Sequence, residues 1–400
     1  MTISASHDVS FLNIVDPEFD FGSPEVVAAQ EKNWYAESPV GLLVLRYAEA
    51  QDLLRDKRMD HNGKGYLEMN GIFAGPVYDW FVPMIVNHDG PAHRRLRGLV
   101  NKAFTPRMIN DLRPFIRTTA EVLADELATA DVCEFVEDFG TRLPLAVMCH
   151  LLGVPPEDYD TFRVWTADIG LVFSIALGGD IPARVETAVV GLDDYADALM
   201  NAKKTEPGDD LISALLAVHE CDGQVSWAEL RNLIVTLVFA AHDTTRHQLG
   251  NAMVAFSGHH DQWAMLAANP RLADQAVEEI MRWCPSASTV YRFAAEDFDY
   301  GGLHLPKGTF LSMCVPVAQR DPRVFRNGSS FDITATREAP PLQFGAGPHH
   351  CLGAALARAE LSEALPVLAG RLGPPSIAGP LAWRPAMGIY GSDSLPLRFG

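Results

Sequence analysis

Most hydrophobic positions in this chain recur at the spacing of α-helices, and strand patterns are confined to a few stretches. Residues 40–46 (VGLLVLR) predict a strand, and residues 47–55 have the apolar spacing of a short amphipathic helix. Residues 114–220 predict several helices separated by breaks at proline and glycine. Residues 293–325 and 387–399 predict strands joined by turns. We therefore expect a mainly α fold with a small β-rich region.

The most hydrophobic predicted helix begins after Ser226. Ser226 and Glu229 form the S-x-x-E pattern of a capping box, and the helix is expected to reach about Gly250 or beyond. Its residues are apolar on nearly every side until Asp243, which is typical of a buried helix. Burying polar groups in such surroundings costs free energy unless they have hydrogen-bond partners. The presence of Asp243 and Thr244 in this helix therefore needs an explanation. For Thr244 alone, a hydrogen bond to a carbonyl of the preceding turn would be sufficient.

Residues 344–353 (FGAGPHHCLG) place Cys351 between a glycine-rich loop and a predicted helix over 352–365. Gly345 and Gly347 lack a Cβ, which allows a tight turn and a close approach to a flat partner. The N-terminus of the helix favours a thiolate at Cys351, although an ordinary buried cysteine is the alternative. The two histidines before it are too close in sequence to share a tetrahedral zinc ion with it, whereas haem needs only one axial ligand.

Composition narrows the class of protein. The 32 basic and 51 acidic residues give a net charge of −19, which argues against nucleic acid or an anionic membrane as a partner. The six cysteines show no paired framework, which favours a reducing cytoplasm. No stretch has the length of a signal peptide core or a membrane span. We expect a cytoplasmic protein without a membrane anchor, forming one domain over 1–400 with 1–39 as an N-terminal extension.

The stretch containing Cys351 resembles the haem-binding loop of the cytochrome P450 superfamily, which has the form F-G-x-G-x-H-x-C-x-G. This resemblance implies that Cys351 is the axial ligand of the iron in haem b. It also implies that His349 contacts the cofactor. The matching positions are Phe344, Gly345, Gly347, His349, Cys351 and Gly353.

Two further motifs of the resemblance concern the cofactor and the cysteine loop. His93 and Arg97 are four residues apart and share one helical face, and the resemblance implies that they bind a haem propionate. Arg292 matches the arginine that binds the other propionate. Glu279 and Arg282 form the E-x-x-R pattern, which in this family is a buried pair that supports the cysteine loop. Without the family context, such a pair would be a weak surface salt bridge.

The buried helix matches a third family pattern, A-G-x-(D/E)-T, through Ala240, Asp243 and Thr244. The resemblance implies that Ala240 lies over the haem and that Asp243 and Thr244 organise the protons consumed when the O–O bond is cleaved. Ala241 stands where glycine is usual, so the extent of local helix distortion is open.

The resemblance implies a soluble, bacterial haem-thiolate monooxygenase, which inserts one atom of O2 into a small apolar substrate. A secondary metabolite is the expected substrate, because the resemblance makes the aromatic segment 60–86 the pocket roof and the apolar segment 171–183 the lid. The alternatives are an aromatic cluster packed on the body of the protein for the first segment and a plain buried helix end for the second. Ser288 and Val290 are also predicted to line the pocket. The alternatives are a peroxide-using haem enzyme and a haem-binding sensor without turnover.

The resemblance also implies electrons from NAD(P)H, delivered by a ferredoxin and a ferredoxin reductase. Residues 88–107 are locally basic in this acidic chain. We predict that this segment docks an acidic ferredoxin; the alternative is that its charges are solvated and have no partner. We expect a monomer. The basic residues of this segment are Arg94, Arg95, Lys102 and Arg107.

Overall fold

In the computed structural model, which describes residues 9–177 and 179–400, helices pack around one long central helix and short strands form a smaller region. The helices are α1 (Pro24–Lys32), α2 (Tyr47–Arg55), α3 (Gly63–Met69), α4 (Pro76–Phe81), α5 (Gly90–Ala103), α6 (Pro106–Leu127), α7 (Arg142–Leu152), α8 (Tyr159–Ile169), α9 (Ile181–Thr205), α10 (Leu211–Asp222), α11 (Trp227–Ser257), α12 (His260–Ala268), α13 (Ala273–Trp283), α14 (Val315–Ala318) and α15 (Ala354–Arg371). The strands are β1 (Tyr35–Ser38), β2 (Gly41–Val44), β3 (Met59–Asp60), β4 (Cys133–Glu134), β5 (Thr289–Ala294), β6 (Phe298–Tyr300), β7 (Leu303–Leu305), β8 (Phe310–Cys314), β9 (Pro375–Ile377) and β10 (Pro396–Phe399). A π-helical segment covers Val136–Gly140, and short 3-10 helices cover Ile85–Asn87, Pro156–Asp158, Gly170–Leu177, Pro270–Leu272, Leu342–Phe344 and Gly347–His349.

Helix α11 is the central element of the fold. Its predicted capping box is present: the Ser226 hydroxyl accepts from the Glu229 N–H, and the Glu229 carboxylate accepts from the Ser226 N–H. The 31 residues of the helix contact α7, α8, α9, α10, α12, α13 and α15, which explains why its middle is apolar on almost every side. The helix stays α-helical through Ala241, so the alanine is accommodated without a break.

The strands form a five-stranded sheet in the order β1-β2-β8-β5-β3, a three-stranded sheet β4-β10-β9 and the hairpin β6–β7. Strand β2 and helix α2 lie where the hydrophobic pattern predicted them. Residues 9–39, which we expected as an extension, contribute α1 and the edge strand β1, and Tyr35 pairs with Val44 of β2. Residues 1–8 of that predicted extension lie outside the described residues.

Helix α15 follows the cysteine loop. The prediction placed it at 352–365, whereas it begins at Ala354 and continues past Pro366 to Arg371. It packs along α6 and α13, so the loop before it is anchored to the helical body.

The apolar segment 171–183 connects α8 to α9 as predicted, and residue 178 within it lies outside the described residues. In the part of the chain that the structure describes, no helix combines the length and the hydropathy needed to cross a membrane.

Candidate active site

A cavity of about 310 Å³ is bounded by α5, α11 and the cysteine loop. Its lining is mainly apolar, with a few polar side chains, as is usual for small-molecule sites. Most of the residues predicted from the motifs meet at this cavity. Those that line it are His93, Arg97, Ala240, Thr244, His349 and Cys351.

The loop before Cys351 has the tight backbone that its glycines predicted. Gly345 and Gly347 have φ values of 67° and 69°, in the left-handed region that favours glycine. The Cys351 N–H donates to the Phe344 carbonyl at 2.8 Å, which closes the loop. Cys351 lines the cavity, and its side chain is accessible there. The surrounding protein raises the pKa of its thiol, whereas the backbone N–H groups of Gly353 and Ala354 lower that pKa. The N–H groups at the helix N-terminus therefore lower the pKa of this thiol, but the surrounding protein raises it more strongly.

Basic side chains form one part of the cavity wall. The rings of His93 and His349 lie 4.3 Å apart between their centroids, and Arg97 lies one helical turn after His93 on α5. Burial lowers the pKa of His93 to about 4 and also lowers the pKa of Arg97. His349 Nε2 lies 2.8 Å from the carboxylate of Asp89. The predicted H-x-x-x-R pair thus reaches the same cavity as Cys351.

Arg292 lies behind this wall and does not line the cavity itself. Its Nη1 donates to the Tyr291 carbonyl at 2.7 Å and lies 2.5 Å from Nε2 of His61. The ring of His61 is in turn 4.5 Å from the ring of His349, between centroids. Burial lowers the pKa of Arg292 to about 10. His61, which no motif predicted, therefore connects Arg292 to the basic wall.

Asp243 is fully buried, but it does not line the cavity. Arg384 Nη1 donates to its Oδ2 at 2.7 Å, and Arg246 Nη2 lies 3.1 Å from its Oδ1. Burial raises the pKa of Asp243, but the two guanidinium groups overcome this effect and hold the pKa well below its usual range. Both arginines also contact Asp393, whose side chain is 46% exposed. The predicted proton-handling acid is thus an ionised carboxylate with a chain of charges to the surface.

Thr244 faces the cavity on α11, one turn after Ala240. Its Oγ1 donates to the Ala240 carbonyl at 3.0 Å, which is the local hydrogen bond considered above for a threonine in a helix. The hydroxyl proton is therefore used within the helix, while the oxygen lone pairs remain available to the cavity.

Glu279 and Arg282 form a buried ion pair on α13. Nε and Nη2 of Arg282 each donate to a Glu279 carboxylate oxygen at 2.7 Å, and Arg337 adds a second guanidinium at 3.0 and 3.1 Å. Burial raises the pKa of Glu279, and the two arginines more than offset that effect. The E-x-x-R pair is thus buried rather than exposed, as the family pattern predicted.

Gln319 connects this pair to the cysteine loop. Arg282 Nη1 donates to the Gln319 carbonyl at 2.9 Å, and Gln319 Oε1 accepts from the Leu342 N–H at 2.5 Å. Leu342 begins the 3-10 turn that ends at Phe344, whose carbonyl accepts from the N–H of Cys351. The E-x-x-R pair therefore supports the loop through a glutamine that the sequence patterns missed.

The cavity lining also differs from the prediction. Ser288 and Val290 do not line it, and Ser286 and Ala287 from the same segment do. The Ser288 hydroxyl instead contacts the carbonyls of Ala386 and Gly388. The predicted roof and lid segments do contribute, and the residues concerned are Met84, Ile85, Val86 and Phe173.

Several polar residues of the lining belong to no motif, and Glu360 and Thr236 are two of them. Glu360 on α15 is 1% exposed, and burial raises its pKa to about 8. Thr236 on α11 is 6% exposed. Glu360 Oε2 and Thr236 Oγ1 have no hydrogen-bond partner within the described part of the protein.

Comparisons with known proteins agree with this arrangement. The family model for cytochrome P450 matches residues 166–368. Luteothin monooxygenase from Streptomyces thioluteus is 48% identical, over 98% of this chain and 97% of the relative. 6-deoxyerythronolide B hydroxylase from Saccharopolyspora erythraea is 33% identical, over 89% of each chain. The chain belongs to the cytochrome P450 family.

The fold of this P450 agrees with solved structures of the family. Cytochrome P450 CYP109Q5 from Chondromyces apiculatus superposes with a TM-score of 0.86 at 30% identity, over 98% of each chain. The predicted mainly helical P450 fold is confirmed. So are the predicted activity and cofactor: the chain is a P450 monooxygenase, an oxidoreductase whose family binds haem b and uses O2, small-molecule substrates and redox partners.

The side chains around the cavity fit haem b. Neither Arg97 nor Arg292 forms a salt bridge with any carboxylate in the described ranges 9–177 and 179–400, although burial disfavours both charges. Nδ1 of the buried His61 also lacks a hydrogen-bond partner there. Two haem propionates would supply the missing acceptors and negative charge, and Cys351 offers a soft ligand to the iron.

Proposed function

We propose that this P450 inserts one oxygen atom from O2 into a small apolar secondary metabolite, with electrons from NAD(P)H delivered through a ferredoxin and a ferredoxin reductase. The observation that carries the proposal is that Cys351 faces one mainly apolar cavity together with Ala240, Ala241 and Thr244 of α11. Relatives named for luteothin and for 6-deoxyerythronolide B support a substrate of this class, because both names refer to individual organic compounds. The predicted monomer and the predicted cytoplasmic location remain predictions.

In this proposal the residues around the cavity hold the cofactor. Cys351 would bind the iron, Ala240 would lie against the face of the macrocycle, and the basic wall would bind the propionates. When bound, haem supplies the binding and activation of O2, and a thiolate ligand favours cleavage of the O–O bond. The residues proposed for the propionates are His93, Arg97, Arg292 and His349.

We assign proton handling to Thr244 and Asp243. Because the Thr244 proton is engaged with the Ala240 carbonyl, Oγ1 can accept a hydrogen bond from a water molecule in the cavity. Asp243, one residue earlier, is linked through Arg384 to the exposed Asp393. This chain of charges supports a route for protons between solvent and the helical turn that contains Thr244. The route would operate when the contact between Asp243 and Arg384 opens.

Thr244→Ala is expected to lower the amount of product formed per NAD(P)H consumed, on the order of tenfold, while haem binding is retained. The alanine removes the oxygen that would position the water. The measurement compares product with NAD(P)H consumption in the reconstituted system. Thr244→Ser keeps the hydroxyl and should stay near the wild-type ratio. An unchanged ratio in Thr244→Ala would rule out the assigned role.

The structure changes the proposed docking surface. Arg95 is engaged within the protein, because it donates to the Glu229 carboxylate at 2.5 Å and to the Gln224 carbonyl at 2.7 Å. Its replacement would also disturb the capping box of α11. Arg94 is exposed on α5, the helix that carries the cofactor-facing pair His93 and Arg97, so it is the main proposed contact for an acidic ferredoxin. Lys102 and Arg107 remain predicted contacts, and Arg107 lies 3.7 Å from the carboxylate of Asp111.

Arg94→Glu is expected to slow reduction of the haem by ferredoxin, roughly tenfold at low ionic strength. The difference should shrink as salt is added, since exposed charges are screened. Stopped-flow reduction at several salt concentrations measures the effect. Lys64→Glu on α3 makes the same change in net charge and serves as the control. Equal effects of the two variants would remove Arg94 from the docking surface.

The function itself is tested with haem-loaded protein, a ferredoxin, its reductase, NAD(P)H and 18O2, against a library of apolar natural products. We expect NAD(P)H consumption that depends on the compound, and a product heavier by one labelled oxygen atom. Consumption that no compound stimulates, with no labelled product, would contradict the proposal.

A further inference from the structure

Thr236 has a hydroxyl whose hydrogen-bonding capacity is not used within the described protein. Its side chain lines the cavity and is 6% exposed, and Oγ1 has no hydrogen-bond partner there. A buried hydroxyl without a partner costs free energy, and most buried polar groups in folded proteins are paired. The missing partner is therefore expected to be something that enters the cavity.

A comparison with Thr244 shows that the proton of the Thr236 hydroxyl is not engaged within the helix. Both threonines lie in α11, where a threonine hydroxyl can donate to the carbonyl four residues earlier. Thr244 does so, at 3.0 Å from the Ala240 carbonyl. Thr236 makes no such bond, so its proton remains available. An oxygen or nitrogen acceptor on a ligand can receive it.

The position of Thr236 on the helix places this donor at a defined distance from the proposed reaction centre. Thr236, Ala240 and Thr244 are spaced by four residues, so they follow one another along one side of α11. At a rise of 1.5 Å per residue, Thr236 and Thr244 are separated by about 12 Å along the axis. An acceptor bound at Thr236 would therefore lie at the opposite end of the ligand from the oxidised carbon.

The surface next to Thr236 is aromatic. Phe239 and Phe173 both line the cavity, with ring centroids 5.6 Å apart, and Trp80 packs edge-on against Phe239 at 5.6 Å. Phenylalanine rings contact flat apolar groups well and offer them no hydrogen bond. A ligand that satisfies Thr236 therefore places apolar groups against these rings, beside its hydrogen-bond acceptor.

We infer that Thr236 is a specificity-determining residue, whose hydroxyl donates a hydrogen bond to an oxygen or nitrogen acceptor at one end of a largely apolar substrate. The inference rests on the proposed function, and it adds the position and the chemical class of the polar group. A site built to hydrogen-bond a substrate group discriminates strongly against an analogue that lacks it, because the protein group is then left unpaired.

The test uses two probes of nearly equal shape, 4-acetylbiphenyl and 4-isopropenylbiphenyl, in which a carbonyl oxygen is exchanged for a CH2 group. Dissociation constants are measured by equilibrium dialysis against the haem-loaded enzyme. Wild type is expected to bind the acetyl probe about tenfold more tightly than the isopropenyl probe. Thr236→Val keeps the branched shape without the hydroxyl, and it should abolish that difference by weakening the acetyl probe alone. Thr236→Ser should preserve it.

Equal preference for the acetyl probe in wild type and in Thr236→Val would overturn the role of Thr236. Failure of wild type to bind or to distinguish the two probes would overturn the substrate class. The spectrum of the reduced carbon monoxide complex, recorded for every variant, separates these outcomes from failure of the proposed function. A wild-type spectrum without thiolate character contradicts the enzyme mechanism itself, whereas a normal spectrum with unaffected binding contradicts only the inference on Thr236.

Discussion

Replacement of Cys351 by alanine is expected to abolish both turnover and the thiolate type of carbon monoxide spectrum. Cys351 is the cysteine that lines the cavity, and its loop is held in place by the hydrogen bond to the Phe344 carbonyl. Alanine would preserve the loop and remove the ligand, so haem would be bound weakly or with another ligand. Haem content and the spectrum of the reduced carbon monoxide complex measure the effect.

Cys221→Ala is the matched control for this substitution, because Cys221 is an exposed cysteine on α10 that is outside the cavity lining. This control should keep the wild-type spectrum and turnover. A thiolate-type spectrum that survives in Cys351→Ala would show that another residue binds the iron.

Glu279→Ala is expected to lower the free energy of unfolding by about 3–5 kcal/mol, because it leaves buried arginine charges without their carboxylate. Glu279 is 1% exposed and accepts from Arg282 and Arg337. The arginines lower the pKa of Glu279 against the effect of burial, so the stabilisation is present at neutral pH and is lost as the pH falls through that lowered pKa. Urea unfolding of the haem-loaded protein at several pH values measures both effects.

Glu278→Ala provides a close control one residue earlier. Glu278 pairs with Arg358, but its side chain is 39% exposed, so its loss should cost less than about 1 kcal/mol. Haem affinity should fall with Glu279→Ala, since Arg282 and Gln319 hold the turn before Cys351. Similar stabilities for the two variants would contradict the structural role of the buried pair.

The elements with strong local signals could be predicted from the sequence. The capping box and the apolar run located α11, and the amphipathic spacing located α2. The sheet was harder to predict from the sequence. Strand β2 pairs in parallel with β8, which is more than 260 residues away, and no local pattern specifies that register. Strand β1 could not be predicted either, because its four residues carry little periodicity and its pairing with β2 is specified by no local pattern.

The residues of the candidate site likewise fall into those that the sequence predicts and those that it does not. Motifs identified the residues that face the cavity, because each motif fixes residue type and spacing on one element. They could not identify partners contributed by distant segments. Arg384, which holds Asp243, lies 141 residues away in sequence, and Gln319 and His61 reach their partners from loops or short elements. Thr236 was missed because an apolar helix readily accommodates a threonine, and only its unpaired hydroxyl indicates a ligand.

The central claim is that Cys351 binds haem iron as a thiolate in this P450. The most direct test is the optical spectrum of the purified wild-type protein, reduced with dithionite under carbon monoxide. The account predicts the absorption band of a thiolate-ligated complex, at full occupancy after haem supplementation. A protein that takes up no haem, or one whose complex has the band of a histidine-ligated haem, would contradict the account.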